Sequence, residues 1–278
     1  MEGKEQPTKT RKIGSIPWHL LKTGKIYLLP VYYVAMLSRV GREFVFNQGS
    51  AELQDLVYRN QAEGRFIIGR IFDRYLLNFP TARGMRSRLV VTQETVRQLI
   101  KASSIKDLTI LDLACGYGRG LIGALEGIKD RNVRAYGLDL DEKAVEVATV
   151  RARERGMDNV SFHLGNALNP KDYPVQSADI VVMTGFAQYL AYEERMNLYR
   201  DIYSFLAEGG YLLTEYFCDW AKNRVQRWWK RTMEEFLGVI LEWLDKEEVE
   251  EMFSQLPFRD VTTWHDPEKL YLMILARK

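Results

Sequence analysis

The stretch that most constrains the fold is 108–120, LTILDLACGYGRG. Four residues suited to a buried strand lead into Asp112, and the chain then turns through Gly116, Gly118 and Gly120. Residues 121–128, LIGALEGI, follow with apolar side chains at helical spacing. Strand, glycine turn and helix in that order set backbone N–H groups and the positive end of a helix beside a ligand. Glycine at 116 and 118 removes the Cβ that would keep a ligand away.

The spacing narrows the ligand. A dinucleotide fingerprint reads G-x-G-x-x-G, and counted from Gly116 its third glycine would fall on Leu121. The pattern present is acidic-x-x-x-G-x-G-x-G, with Asp112 as the acid at the strand end. A carboxylate there repels a pyrophosphate and suits a ligand end carrying an ammonium group. This pattern resembles motif I of class I S-adenosylmethionine-dependent methyltransferases. The resemblance implies S-adenosylmethionine as cofactor, S-adenosylhomocysteine as product, and cofactor contacts from Asp112, Ala114, Gly116 and Gly118. It also implies a doubly wound, seven-stranded Rossmann-like sheet of order 3-2-1-4-5-7-6, with the seventh strand antiparallel.

The rest of the chain supplies strands and helices in the alternation such a sheet requires. Residues 133–139 read as a second strand ending in Asp139, and 141–150 as a helix with Asp141 as its N-cap. An acid at the end of a second strand can accept from both ribose hydroxyls. In the methyltransferase pattern that acid is Asp139, and Leu140 lies against the adenine. A short strand at 160–163 precedes Asn166 and Ala167. The family places an acid or an amide here to accept from the adenine amino group. Asn166 fits that slot, where many members carry Asp, and the Ala167 N–H would meet the ring nitrogen. The nearly all-apolar run 177–184 reads as a fourth strand with both faces covered, ending at Thr184 on the cofactor rim. It empties into 185–189, which ends in Tyr189. A helix over 193–207, a fifth strand over 211–217, a helix over 245–254 and an antiparallel pair over 258–264 and 270–276 complete the pattern.

Three segments are expected: a disordered tail at 1–12, a helical extension at 13–104, and the cofactor-binding core at 105–278 with an insert at 218–244. The extension opens with a basic, aromatic run, 13–46, where Lys22, Lys25, Arg39 and Arg42 against Glu43 leave a local charge of +3. Packing on the core explains that run most simply, and peripheral contact with lipid is the sharper alternative. A helix begins at the N-cap Ser50, a second spans 66–77 and is closed by Pro80, and a third runs from about 93 to 103. Residues 58–61 and 83–86 concentrate polar donors where helices end. They resemble segments preceding motif I in a bacterial methyltransferase family sometimes found downstream of an α/β-hydrolase domain. Tyr58, Arg83, Arg86 and Tyr189 are candidates for the substrate pocket, Tyr58, Arg86 and Tyr189 alternatively for the cofactor carboxylate, and helix capping is the plain alternative for 58–61 and 83–86. The insert holds Trp220, Trp228, Trp229 and Trp243 and leaves the carboxyl ends of the strands, as a pocket lid would.

Composition excludes several rivals. A net charge of +2 gives the whole molecule no electrostatic footprint for nucleic acid. The Asn/Asp-Pro-Pro-Tyr/Phe motif of nucleic-acid methyltransferases is missing after the fourth strand. Cys115 and Cys218 are too few for a disulfide framework and suit a reducing cytoplasm. His19, His163 and His265 lie far apart, so no metal site is expected. The longest uncharged apolar run, 26–37, has 12 residues and contains Pro30, against about 20 for a spanning helix. The reading is a cytoplasmic methyltransferase for a small or medium, partly apolar acceptor. A nucleic-acid or protein methyltransferase and a non-catalytic binding module are the alternatives.

Overall fold

The computed structural model of the chain describes residues 15–47, 49–129, 131–218 and 244–278. These form two compact units, divided in sequence between Arg86 and Ser87. The tail at 1–12 and the insert tryptophans lie outside the described residues.

The first unit is helical: α1 Ser15–Lys22, α2 Leu29–Leu37, α3 Arg39–Phe46, α4 Ala51–Arg59, α5 Phe66–Leu77 and the start of α6 Pro80–Ala102. Ser50 caps α4 as its sequence predicts, its hydroxyl accepting from the Leu53 N–H. The α4 helix ends on Asn60, whose φ of +53° is the left-handed conformation of a helix stop. Val40, Leu53, Leu56, Val57, Leu77 and Ala82 form a small core. The α5 helix enters this unit through its small and polar side. Gly69 lies so close to the end of α2 that a Cβ there would stand 2.3 Å from the Leu37 carbonyl oxygen. Asp73 is fully buried and accepts from the Ser38 hydroxyl at 2.5 Å, the Val40 N–H at 3.1 Å and the Glu63 N–H at 2.7 Å.

The third helix departs from expectation. It begins at Pro80 rather than near 93 and runs 23 residues. Proline in a first turn sacrifices only an N–H that has no helical partner, so it starts a helix as readily as it ends one. Residues 83–86 therefore lie inside a helix and not at its end.

In the second unit β1 Asp107–Leu113, β2 Asn132–Asp139, β3 Val160–Leu164, β4 Ala178–Met183, β5 Leu206–Phe217, β6 Arg259–His265 and β7 Tyr271–Arg277 make one sheet. Its order is β3-β2-β1-β4-β5-β7-β6. Strands β1 to β5 run parallel and β7 is antiparallel to both neighbours, as the motif I resemblance implies. One face is packed by α9 Tyr192–Phe205 and α10 Lys246–Ser254, which bring Met196, Ile202, Val249 and Phe253 against Leu111, Val181 and Leu212. The helix α8 Glu142–Glu154 packs on β2 and β3, and α7 Arg119–Leu125 follows the turn after β1. A Cβ added at Gly118, the N-cap of α7, would touch both Phe162 on β3 and Ala148 on α8. The part of α6 beyond Arg86 lies beside α7, where Gln93 donates to the Arg119 carbonyl and Arg97 to that of Gly123.

Candidate functional site

Register places the site residues. Asp112 pairs with Gly137 on β2 and Val182 on β4, and Val182 pairs with Leu213 on β5. Side chains two apart share a face. Asp139, Thr184 and Glu215 therefore stand one step beyond this row, on the face of Asp112, along the carboxyl edge of the sheet. Open parallel sheets bind ligands at that edge.

The turn after β1 is built on left-handed backbone. Ala114, Gly116 and Gly118 have φ of +55°, +54° and +70°, and the Gly118 N–H closes the turn by donating to the Cys115 carbonyl at 3.0 Å. The two glycines have different reasons. The Gly116 N–H donates to Asp139 Oδ2 at 2.7 Å, tying the turn to β2. At Gly118 a Cβ would lie 2.6 Å from the Phe162 ring, so internal packing forbids a side chain there. At Gly120 a Cβ would meet nothing nearer than Asp112 Oδ2 at 3.8 Å, which leaves open space beside that carboxylate.

Asp112 is buried, and none of the described residues donates a hydrogen bond to it. Burial, and then the Asp139 carboxylate, push its carboxyl up from 3.8 to about 8. The same burial, with Asp112 and Asp139 adding to it, raises the Cys115 thiol well above its ordinary range. That sulfur is a packing group and not a nucleophile. Asp139 also accepts from the Asp141 N–H at 3.0 Å, and Asp141 caps α8 through the Lys143 N–H. Asp141 is thus the N-cap the sequence predicts, while Asp139 ties the motif I turn to the end of β2. Leu140 and Leu164 follow on the ends of β2 and β3 and are 71% and 58% exposed, an apolar pair open to a ligand. Asn166 folds back, its Oδ1 accepting from the Leu168 N–H at 3.0 Å, and Asp172 accepts the Asn166 N–H. Ala167 is buried, its carbonyl taken by the Tyr173 hydroxyl.

Beyond Thr184 lies a cluster that sequence reading missed. Glu215 and Arg88 are both buried and form an ion pair at 3.2 Å. Glu215 Oε1 also accepts the Gly185 N–H at 2.6 Å, and the Arg88 guanidinium lies over the Tyr271 ring at 4.8 Å. Glu215 Oε2 is buried with no hydrogen-bond partner among the described residues, and so is Oε1 of Gln188, in the turn packed against β5. Burial raises the Glu215 carboxyl, while Arg88 and the Gly185 N–H pull it back. The pair is separated by 127 residues. The sequence signal was slight: an acid, Glu215, near the end of a largely apolar strand.

The four candidates outside the cofactor edge are divided between the two units. Tyr189 ends the turn that holds Gln188 and is 41% exposed. Tyr58, Arg83 and Arg86 belong to the helical unit. There Tyr58 meets Gln54, and Arg86 donates to the Val57 and Leu77 carbonyls near the ends of α4 and α5.

Residues 5–220 match the model of a family described as "Putative methyltransferase". The chain belongs to that family. This family member is 30% identical over 175 residues to the Uncharacterized protein YnbC of Escherichia coli strain K12, a match covering 56% of the chain but only 29% of that relative. Among solved structures, a "possible exported protein" from Bordetella parapertussis shares the fold with a TM-score of 0.74 at 18% identity, over 91% of this chain and 87% of the other. Magnesium protoporphyrin IX methyltransferase from Synechocystis PCC 6803, solved with bound S-adenosylhomocysteine, gives 0.59 at 15% identity, over 85% and 97%.

Proposed function

We propose that the chain binds S-adenosylmethionine over the ends of β1, β2 and β3 and methylates a small or medium, partly apolar acceptor held over the ends of β4 and β5. The observation that carries this reading is Asp112, a buried carboxylate with no donor among the described residues, open space at Gly120, and a second carboxylate as its neighbour. Such a group calls for a cation, and the ammonium of the methionine moiety is one. Asp139 spends one acceptor position on each of two N–H groups, which leaves lone pairs for ribose hydroxyls. Leu140 and Leu164 offer apolar faces to a flat ring, and Asn166 Oδ1 keeps one lone pair for its amino group.

S-adenosylmethionine supplies, when bound, an electrophilic methyl group on a sulfonium sulfur. What remains for the protein is to hold an acceptor in line and keep water out. Glu215 Oε2 and Gln188 Oε1 are acceptors left open in a dry place, so they favour an acceptor molecule presenting a hydroxyl or N–H. Arg88 is already neutralised by Glu215 and is a poor anchor for an acidic group. Thr184, Gln188, Tyr189 and Glu215 form this half of the site, while Tyr58 and Arg86 are engaged within their own unit. A small acceptor accords with the Synechocystis enzyme named for magnesium protoporphyrin IX. We place the protein in the cytoplasm, a reading supported by the low cysteine count, two in 278 residues.

Calorimetry tests the cofactor. Saturable binding of S-adenosylmethionine and S-adenosylhomocysteine, each raising the melting temperature by mass action, is the expected result. Heat with NAD and none with either adenosyl ligand would overturn the reading.

A further inference from the structure

The α5 helix is built inside out. Its inner side carries Gly69, Asp73 and Leu77, all buried. Its outer side carries Ile67, Ile71 and Tyr75, one per turn along a single row, at 77%, 59% and 61% exposure, with Ile68 exposed beside them. The adjoining row is Arg70 and Arg74, both exposed. The helix has one acid, Asp73, and it is consumed by three hydrogen bonds inside the unit. Its solvent face therefore combines a continuous apolar stripe with positive charge alone.

Large apolar side chains set in a row on a soluble surface mark an interaction site. The charge pattern says which kind. An apolar row bordered by a row of arginines is the arrangement of a helix lying in the plane of a bilayer, apolar row at the acyl boundary and cations among the phosphates. A second copy of the chain would bring arginine rows together with no carboxylate between them, and like charges repel. In the same unit α1 and the turn that follows it repeat the composition, since residues 15–28 contain no acid, carry Lys22 and Lys25, and expose Trp18 and Tyr27. We propose that α5 is an interfacial helix that seats the protein on an anionic lipid surface.

Flotation of the full chain with vesicles tests this, comparing phosphatidylcholine alone with phosphatidylcholine containing phosphatidylglycerol. The protein is expected to float with the anionic vesicles and to be released by high salt. The pair Ile67→Glu with Ile71→Glu should abolish flotation. The pair Arg70→Gln with Arg74→Gln should weaken it about fivefold per arginine, roughly twenty-five-fold together. All four side chains are exposed, so both variants should melt as the parent does. Should either fail to fold, Tyr75→Trp provides a second readout, its emission shifting to the blue on addition of anionic vesicles. No flotation, flotation unchanged in the glutamate pair, or no shift of the tryptophan overturns the proposal. So does a parent that stays off vesicles and sediments as a dimer which the glutamate pair dissociates, or as a complex with an acidic protein.

Discussion

Asp112 and Glu215 are both buried carboxylates on one face of one sheet, and their surroundings give them opposite needs. Glu215 has a guanidinium and a backbone N–H on one oxygen and no partner among the described residues on the other. Asp112 has no donor among the described residues and faces Asp139. The first is a charge already compensated, with room for a neutral donor. The second lacks its counter-ion. Two halves of the carboxyl edge, separated by β4 and sharing one face, thus suit the chemically different guests proposed for them: a cation over β1 and a hydroxyl or N–H over β5.

Breaking the compensated pair should have the largest effect. Arg88→Met strands the Glu215 charge in the core and is expected to cost about 3–5 kcal/mol in urea denaturation. Arg88→Met combined with Glu215→Leu should recover most of that loss. A double variant as unstable as the single one would show that the pair is not the unit described.

Next in size is the cofactor edge. Asp139→Ala removes the acceptors proposed for two ribose hydroxyls and frees the Gly116 and Asp141 N–H groups. It is expected to weaken S-adenosylmethionine by about 2–4 kcal/mol in calorimetry. Asp141→Ala, two residues away, should lose only the α8 cap, about 1 kcal/mol of stability, with cofactor affinity nearly unchanged. Reversal of the two effects would mean that the acids have been assigned to each other's roles.

The contrast between these regions also shows what a sequence displays. The cofactor edge was legible because its parts are local: Asp112 and the glycines lie within nine residues, and Asp139 and Asp141 each sit at a strand end or helix start. The sheet was legible because strands covered on both faces, such as β4, read as unbroken apolar runs. The Arg88–Glu215 pair was not, because nothing local joins residues so distant in the chain. The reason for Gly118 was hidden too, since it is the Phe162 ring on β3. In the helical unit the apolar positions of α5 were visible, but periodicity alone does not say which face turns inward. Gly69 and Asp73 decide that through contacts with Leu37, Ser38 and Val40. Pro80 was ambiguous in itself, being equally suited to stop one helix and start the next.

Asp112 also ties folding to pH. Its folded carboxyl titrates near 8 instead of 3.8, so the folded state keeps a proton that the unfolded chain gives up. Stability without ligand should be full below about pH 4, fall as pH rises toward 8, and level off above it. Asp112→Asn should remove that part of the slope.

The most direct measurement is the proton count on cofactor binding. At pH 7 the free Asp112 carboxyl is mostly protonated, while an α-ammonium, with a pKa of about 7.7–8.0, is mostly charged. Pairing the two requires the carboxyl to ionise. Calorimetry with S-adenosylmethionine at pH 7, in two buffers of different ionisation enthalpy, should therefore report release of nearly one proton per site, and Asp112→Asn should release none. Binding with no proton released by the parent, or with the same release from Asp112→Asn, would contradict the account of Asp112 as the vacant half of an ion pair.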